Sequence, residues 1–172
     1  MDASAAGLAE SSRRAAKPVG RGGLENALFV VAAAERVPSE IRYAADELTI
    51  AFPWGSLLRG ALACDERAAR GIASLVRRGG RVVAHVSIAA RDRLDLVPPD
   101  ADVAELARRW RAYGLQLCDV RPASPREVAA TGSSWARRLA TDPSRPVWRL
   151  DLERRPDRTD PEVLDDASSA RR

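Results

Sequence analysis

Two tryptophans stand in short segments whose residue types favour ligand binding. Trp54 lies in Phe52–Leu58 (FPWGSLL), between a predicted buried strand and a predicted helix. Trp135 lies in Ser133–Leu139 (SSWARRL), at a second junction between a loop and a helix. In open α/β sheets, ligands bind at the carboxyl ends of strands, which is where the first segment falls.

The neighbours of Trp54 favour a position on the loop itself. Pro53 restricts the backbone and Gly55 gives it freedom to turn, so the indole is expected to be held outside the core. The alternative for each loop tryptophan is an anchor packed into the core. Trp110 and Trp148 lack such surroundings, and the sequence predicts both as core residues of a helix and a strand.

Positive charge gives a second indication of ligand class. The chain has a net charge of +4 and a pI near 9.8, and Lys17 is its only lysine. Two basic groups stand out: Arg13, Arg14, Lys17 and Arg21, and then Arg137 and Arg138. A basic surface favours an anionic partner such as RNA. The alternatives are solvated helix faces and the arginine-rich composition of a GC-rich genome.

Other common chemistries have little support in the sequence. His85, the only histidine, lies in an apolar strand and is predicted to be a satisfied core or strand-end residue. Cys64 and Cys118 are far apart, without metal-ligand spacing, and are predicted to be reduced core thiols. Asp92 and Asp95 are interpreted as loop acids. No apolar run approaches the roughly 20 residues of a membrane helix, and the first residues lack a secretory pattern, so a cytoplasmic protein is expected.

The elements that carry these residues alternate along the chain. The predicted strands cover 47–52, 81–89, 115–120 and 146–152, and the apolar run 27–34 is predicted to contain a buried strand. The predicted helices cover 3–16, 38–44, 56–63, 65–77 and 101–113, with Asp100 as N-cap of the last, and a short helix is predicted after Ser124 by its capping-box spacing. Such alternation predicts an α/β fold with a mainly parallel sheet. Residues 154–172 are charged and are expected to be a disordered tail.

In this order and spacing, Ala27–Glu35 (ALFVVAAAE), FPWGSLL and SSWARRL resemble the 16S rRNA adenine-N1 methyltransferases of aminoglycoside resistance. The resemblance runs from about Asp2 to Leu152. It implies the class I, Rossmann-like fold of S-adenosylmethionine-dependent methyltransferases over residues 1–153. It also implies a substrate, a decoding-site adenine of 16S rRNA in the 30S subunit.

The resemblance further implies roles for individual residues. Trp54 and Trp135 would hold the flipped adenine between them, with Ser133 and the backbone of Pro53 near the base. Asp2 would bind the cofactor ribose, and Ala33, Ala34 and Glu35 would border the cofactor adenine. The two basic groups would contact rRNA phosphates at the mouth of the pocket, and no metal is implied.

The proposed chemistry is physically consistent with these residue types. Pulling a base from its stack costs a few kcal/mol, and aromatic stacking returns roughly 1–3 kcal/mol per base. Adenine N1 carries an exposed lone pair, so its methylation needs no general base. The base becomes cationic as it is methylated, and indole faces favour a cation, so a pair of indoles helps the transition state more than the ground state.

The sequence departs from the family at its start. Class I methyltransferases have a glycine-rich turn close to DxGxGxG after their first strand, whereas the one glycine-rich stretch here, Gly20–Gly23, follows a helix. The chain therefore resembles a fold that lacks its first two strands, which belong between 27–32 and the other strands. A start codon placed at an internal methionine and a truncated gene both explain this, and the in-frame upstream DNA distinguishes them.

Three hypotheses follow for function. The first is the rRNA methyltransferase or a fragment of it, and the second is a non-enzymatic RNA-binding remnant that no longer binds the cofactor. The third is an α/β enzyme of another class, which two widely separated loop tryptophans would favour. For this chain we expect weak or absent cofactor binding and a hydrophobic, unpaired edge at 27–32.

Overall fold

The computed structural model describes residues 1–89, 92–94, 102–133, 135–136 and 145–155. Its helices are α1 (Ala5–Ala15), α2 (Gly55–Ala61), α3 (Glu66–Leu75), α4 (Val103–Arg111) and α5 (Pro125–Ala130). Its strands are β1 (Ala45–Ala51), β2 (Val76–Ser87), β3 (Leu115–Pro122) and β4 (Val147–Arg154). Short 3-10 turns lie at Val19–Arg21, Ala34–Arg36 and Ser39–Ile41. The α1 helix is the longest of these, and no helix in the described ranges has the length and apolar character to cross a bilayer.

The four strands form one sheet in the order β1-β2-β4-β3. β1 and β2 are parallel, with Ala51 beside His85, whereas β4 is antiparallel to both of its neighbours. The α/β class is thus confirmed, but two of the three pairings among the described strands are antiparallel, unlike the mainly parallel sheet expected. The carboxyl ends of β1 and β2 and the start of β4 share one edge of the sheet.

The main core lies between one face of the sheet and the helices α2, α3 and α4. Leu106 and the predicted core residue Trp110 are buried on α4, opposite Leu150 and Leu152 of β4. α2 and α3 approach each other closely where Gly60 meets Ala68. A Cβ on Gly60 would lie 2.5 Å from that of Ala68, so the crossing requires glycine. Trp148 is half-buried and packs against the same core.

A smaller cluster covers the opposite face of the sheet. Val128 of α5 packs with Ala136 and Val147 there. Val147 and Leu150 differ by an odd number of positions along β4, so their side chains point to opposite faces. Local sequence fixes α5: the Ser124 side chain accepts from the Glu127 amide, the Glu127 side chain accepts from the Ser124 amide, and Pro125 opens the helix.

The run 27–34 does not form the buried strand that its composition predicts, whereas the exposed apolar edge expected at 27–32 agrees with the structure. Among the described residues, one parallel bridge, between Asp2 and Val31, joins this segment to another part of the chain. Leu28 is 78% exposed and Val31 is 55% exposed. The physical reason is the absence of a neighbour, because the described sheet ends at β1 and supplies no strand against which the segment can pack.

Four smaller expectations also need correction or delimitation. The N-cap of α4 is Asp102 rather than Asp100, which lies outside the described residues. The helix expected at 38–44 is a single 3-10 turn. Cys118 is exposed and not a core thiol, because it lies at a register shift of the edge strand β3. β4 continues through Arg154, and residues 156–172 of the predicted tail lie outside the described residues.

Candidate functional site

The first tryptophan loop leaves the sheet where the two parallel strands end. β1 ends at Ala51, and the Phe52 amide donates to the carbonyl of His85 on β2 at 2.8 Å. This bond fixes the start of the loop beside the carboxyl end of β2. The loop therefore stands at the edge where open α/β sheets bind ligands.

Backbone conformation then turns the indole of Trp54 outward. Phe52 has φ of 51° and Gly55 has φ of 60°, both in the left-handed region. For a bulky residue such as Phe52 this conformation is unfavourable and persists because its surroundings fix it. Between the two turns Pro53 is buried, whereas Trp54 is extended and 83% exposed. Trp54 is therefore not a core anchor.

The second tryptophan is held by a chain of hydrogen bonds that begins at α5. The Thr131 hydroxyl donates to the Val128 carbonyl at 2.7 Å, and the Ser133 amide donates to the Thr131 hydroxyl oxygen at 3.3 Å. The Trp135 amide then donates to Oγ of Ser133 at 3.2 Å. Trp135 is 46% exposed, and its neighbour Ala136 is buried in the smaller cluster.

Both tryptophans line one cavity of about 360 Å³ at this edge of the sheet. Its other lining residues are Phe52, Pro53, Gly55, Leu58, Ser87, Asp92 and Arg145. The expectation that the two loop indoles share a cleft thus agrees with the geometry. The volume and the exposed aromatic surface suit a flat ring the size of a base.

Ser133 and Pro53 occupy different positions relative to this cavity. Pro53 lines it directly, whereas Ser133 is not among the lining residues and acts on the Trp135 backbone. Within the described part of the chain, Ser133 is therefore better placed to orient Trp135 than to touch a bound base.

Three polar residues of the cavity were missed by sequence reasoning. Asp92, interpreted as a plain loop acid, lines the cleft, and its Oδ2 accepts from the Ala89 amide at 2.7 Å. Ser87 and Arg145 also line it, and the Ser87 hydroxyl and Arg145 Nε are buried without a partner among the described residues. Their positions along the chain could have indicated the site. Ser87 ends a parallel strand, and Arg145 precedes the antiparallel strand that starts at the same edge of the sheet.

His85 lies on β2 beside the start of the first tryptophan loop, opposite Arg149 of β4. It is buried, and its ring centroid lies 6.4 Å from that of Phe52. Burial lowers the pKa of His85, and the positive charge of Arg149 lowers it further. Its ring nitrogens have no partner in the described ranges, so the expectation of a satisfied histidine is not met there. The lowered pKa makes it a neutral residue near pH 7.

The cofactor-binding residues implied by resemblance lie along the segment outside the sheet. The Asp2 amide donates to the Val30 carbonyl at 3.1 Å, and the Ala32 amide donates to the Asp2 carbonyl at 3.0 Å. The turn that follows, with Ala33, Ala34 and Glu35, packs on α3. A Cβ on Gly71 of α3 would lie only 1.6 Å from the Ala34 carbonyl oxygen.

These contacts bring Asp2 close to the backbone just before Ala33. The exposed Asp2 carboxylate accepts from the Ser4 amide through Oδ1 at 2.7 Å. The arrangement suits the adenosine end of the expected cofactor, with one acidic side chain and small neighbours. It offers no glycine-rich turn for the methionine end, since the sequence contains none after a strand.

The predicted RNA-binding residues are only partly described. Arg13, Arg14, Lys17 and Arg21 are exposed on α1 and the following turn, and Arg13 pairs with Glu10 at 2.9 Å. Arg137 and Arg138 lie outside the described residues. Their position relative to the cleft therefore stays a prediction.

Comparison with known proteins agrees with this geometry. A sequence profile described as "NpmA: 16S rRNA (adenine(1408)-N(1))-methyltransferase" matches residues 1–153. A 16S rRNA (adenine(1408)-N(1))-methyltransferase of Streptoalloteichus tenebrarius is 38% identical over 136 residues, which are 75% of this chain and 62% of that protein. A relative of the same name from Escherichia coli is 28% identical and covers 83% of this chain and 69% of that protein. The chain thus spans about 62% of the length of the Streptoalloteichus tenebrarius protein.

Solved structures of 16S rRNA methyltransferases also superpose on this chain. The crystal structure of the 16S rRNA methyltransferase KamB superposes with a TM-score of 0.74 at 35% identity, over 86% of this chain and 71% of that one. A tryptophan-to-alanine mutant of the 16S rRNA (adenine(1408)-N(1))-methyltransferase from Catenulisporales acidiphilia, solved with the cosubstrate SAM, superposes at 0.78. It is 28% identical over 92% of this chain and 75% of that one.

Proposed function

This chain belongs to the 16S rRNA (adenine(1408)-N(1))-methyltransferase family, and we propose that its tryptophan cleft holds the target base of that reaction. The proposed activity is methyl transfer from S-adenosylmethionine to N1 of a decoding-site adenine of 16S rRNA in the 30S subunit. The expected consequence is aminoglycoside resistance, and the expected location is the cytoplasm. The observation that carries the proposal is the single cavity lined by Trp54 and Trp135.

Two indoles facing one cavity offset the cost of base flipping. Extrusion of a nucleotide costs a few kcal/mol, and each aromatic contact returns roughly 1–3 kcal/mol. Trp54 reaches the cavity from the end of β1, and Trp135 reaches it from the loop after α5. Because both indoles line this cavity, we propose that a bound ring stacks between them.

The same residues favour the methylated product over the free base. Methylation at N1 makes the adenine cationic, and an indole face attracts a cation over its ring. The carboxylate of Asp92 adds negative charge to the cavity, and its Oδ1 has no partner among the described residues. Stabilisation that grows as charge develops lowers the barrier, and no proton acceptor is needed because N1 carries a lone pair.

The cofactor would be held by Asp2 at the ribose and by Ala33, Ala34 and Glu35 at the adenine. S-adenosylmethionine, when bound, supplies the methyl group from its sulfonium. The fit is partial, since these residues suit only the adenosine end. The chain therefore offers more contacts to the target base than to the cofactor.

The basic residues would dock the rRNA around the cleft. Arg13, Arg14, Lys17 and Arg21 lie exposed on α1 and its following turn, and Arg137 and Arg138 follow Trp135 directly in sequence. Phosphate contacts of this kind set position and orientation, and they carry no base specificity. Recognition of the adenine itself would then fall to the cleft.

A non-enzymatic RNA-binding remnant is the second candidate. It is favoured by the 27–32 segment, which a single bridge joins to Asp2 and which lies outside the sheet. A protein of this kind would keep the tryptophan cleft and the basic residues but not the cofactor site. An α/β enzyme of another class loses its main support, because the two tryptophans line the same cavity.

Parallel binding and activity assays separate the two candidates. Methyl transfer to 30S subunits, scored by a block to reverse transcription at the modified adenine, is expected only if the cofactor binds. Binding of 30S subunits without cofactor binding would support the remnant. Failure of both would remove the proposed function, provided that circular dichroism shows the chain folded.

A further inference from the structure

A second cavity, of about 460 Å³, opens at the opposite edge of the sheet from the tryptophan cleft. Its lining includes Tyr43, just before β1, Ala73 and Ser74, just before β2, and Arg154, at the end of β4. The tryptophan cleft instead lies where β1 and β2 end. The seven residues of β1 separate the two edges by roughly 20 Å, so this cavity is not part of the base site.

The cavity carries a strong excess of positive charge. Among its described lining residues, Glu35 is the one carboxylate, and it faces four arginines: Arg42, Arg67, Arg70 and Arg154. The lining side chains carry a net charge of +3, which falls to +2 when Glu66, the ion-pair partner of Arg70, is included. Such a site attracts anions and disfavours a sulfonium compound, which is itself cationic. Ala34 and Glu35, the residues proposed to hold the cofactor adenine, also line this cavity, and the four arginines distinguish it from a site for a cationic cofactor.

Three of these guanidinium groups are already oriented by neighbours. Nη1 of Arg154 donates to the Ala73 carbonyl at 2.5 Å, and its guanidinium lies 4.8 Å from the centre of the Tyr43 ring. Nε and Nη2 of Arg42 both donate to the Val37 carbonyl, at 3.3 and 3.1 Å. Arg70 is paired with Glu66 and lies over the ring of Tyr113 at 5.8 Å. Each keeps at least one N–H group with no partner in the described ranges.

Two further lining residues of the cavity are Arg67, whose guanidinium is unpaired among the described residues, and Tyr43, whose backbone is left-handed. Arg67 is exposed and makes no hydrogen bond or ion pair with a described residue. Tyr43 has φ of 56°, and its amide donates to the Ser74 carbonyl at 2.6 Å, so the fold holds a bulky residue in an unfavourable conformation at the cavity rim. Strain of this kind persists where surroundings fix it and is concentrated at binding sites.

We propose that this cavity is a binding site for a phosphorylated small molecule, with the phosphate held by Arg67 and by the free N–H groups of Arg42 and Arg154. Guanidinium groups match the oxygen geometry of phosphate and donate two bonds at once. Fixed guanidinium groups lose little conformational freedom on binding. The concave shape suits a compact ligand rather than an extended RNA strand.

Calorimetric titration of the 172-residue chain with inorganic pyrophosphate at low ionic strength tests the proposal. We expect saturable binding at one site, and we expect Arg67→Gln to weaken it about tenfold because a charge-assisted contact is lost. Arg36→Gln is the matched control. Arg36 is also exposed and does not line the cavity, and its substitution removes the same charge as Arg67→Gln. It should change the affinity less than twofold.

A second variant, Tyr43→Gly, tests whether pyrophosphate binding can be weakened without destabilising the fold. Tyr43→Gly suits the left-handed backbone, so it should fold as well as the parent while removing the ring beneath Arg154. We expect weaker pyrophosphate binding with an unchanged or higher Tm. Absence of saturable binding, or equal weakening by Arg36→Gln and Arg67→Gln, would overturn the proposal. Displacement of pyrophosphate by a decoding-site RNA hairpin would also overturn it, because the cavity would then be an RNA contact.

Discussion

Glu127 on α5 is joined to Arg121 on β3 by two hydrogen bonds, at 2.9 Å to Oε2 and 2.5 Å to Oε1. Arg149 of β4 donates to the same Oε1 at 2.9 Å, and Oε2 also accepts from the amide and hydroxyl of Ser124. One carboxylate therefore fixes the start of α5 to two strands. The Trp135 loop leaves the other end of this short helix, so Glu127 is a positioning residue for the second indole.

Glu127→Gln should make the stability of the protein less sensitive to acid. The hydrogen bonds from Arg121, then those from Ser124, hold the pKa of Glu127 well below its usual range. A lowered folded-state pKa stabilises the fold above the unfolded value of about 4.3, and this stability is lost as pH falls toward the folded value. Thermal unfolding between neutral pH and pH of about 3 should show a smaller fall in Tm for the variant.

The matched control for this measurement is Glu153→Gln on β4. Glu153 is exposed, and no hydrogen bond or ion pair of its side chain is found among the described residues. The dependence of Tm on pH for Glu153→Gln should therefore follow that of the parent. Identical acid profiles for the parent and Glu127→Gln would show that the carboxylate does not support the fold.

Trp54→Ala should uncouple base holding from RNA binding. With 2-fluoroadenine at the target position of a decoding-site hairpin, the extruded and unextruded populations are read from their separate fluorine NMR signals, which do not depend on stacking-sensitive fluorescence. Loss of one stacking face should shift the extrusion equilibrium by roughly 5- to 150-fold, the equivalent of 1–3 kcal/mol per base. Hairpin affinity, measured by anisotropy, should change little because phosphate contacts remain.

Trp148→Phe serves as the comparison for Trp54→Ala. Trp148 is half-buried on β4 and packs against the main core, away from the cleft lining. Trp148→Phe should leave both the extruded population and the hairpin affinity near those of the parent. Equal loss of hairpin affinity and base extrusion in Trp54→Ala would make that residue a structural one.

Local sequence signals predicted the parts of the fold that local interactions determine. The capping box from Ser124 to Glu127 formed as expected, because its partners lie within one helical turn. Trp110 was predicted as core from its helical position, and it is fully buried. The exposed position of Trp54 was also predictable, since Pro53 restricts the backbone and Gly55 adopts a left-handed turn.

Features that depend on distant contacts could not be predicted in the same way. The run 27–34 has the composition of a buried strand, but burial requires neighbouring strands, and within the part of the chain that the structure describes Asp2 alone pairs with it. Asp92 and Arg145 enter the cleft because strand ends converge there, which no spacing along the chain reveals. The left-handed Phe52 is set by its bond to His85 across the sheet.

Replacing Arg137 and Arg138 together with alanine should reduce the salt dependence of RNA binding. Each lost phosphate contact lowers the slope of log affinity against log salt by about 1, so the double variant should lower it by up to about 2. Filter binding of 30S subunits across a salt series measures this slope. Arg108→Ala with Arg111→Ala on α4 removes the same charge elsewhere, and an equal change there would return Arg137 and Arg138 to solvated-face residues.

Leu28→Lys should reduce self-association of the chain. Leu28 and Val31 are exposed in an apolar segment with a single strand bridge, and unpaired apolar edges promote aggregation. Light scattering during concentration should show a higher onset for Leu28→Lys. Val19→Lys is the control, since Val19 is 58% exposed on a 3-10 turn outside that segment. Equal improvement by both variants would point to net charge rather than to the edge.

Titration of the chain with S-adenosylmethionine should give weak binding, with a Kd in the millimolar range or above. The carboxylate of Asp2 and the turn at Ala33–Glu35 offer contacts for one end of the cofactor, and the sequence supplies no glycine-rich turn for the other. A millimolar Kd corresponds to only about 4 kcal/mol, which a few polar contacts provide. The SAM-binding enzyme of Catenulisporales acidiphilia is the positive control. A micromolar Kd that Asp2→Asn weakens and Trp54→Ala leaves unchanged would contradict this prediction and would favour the methyltransferase over the RNA-binding remnant.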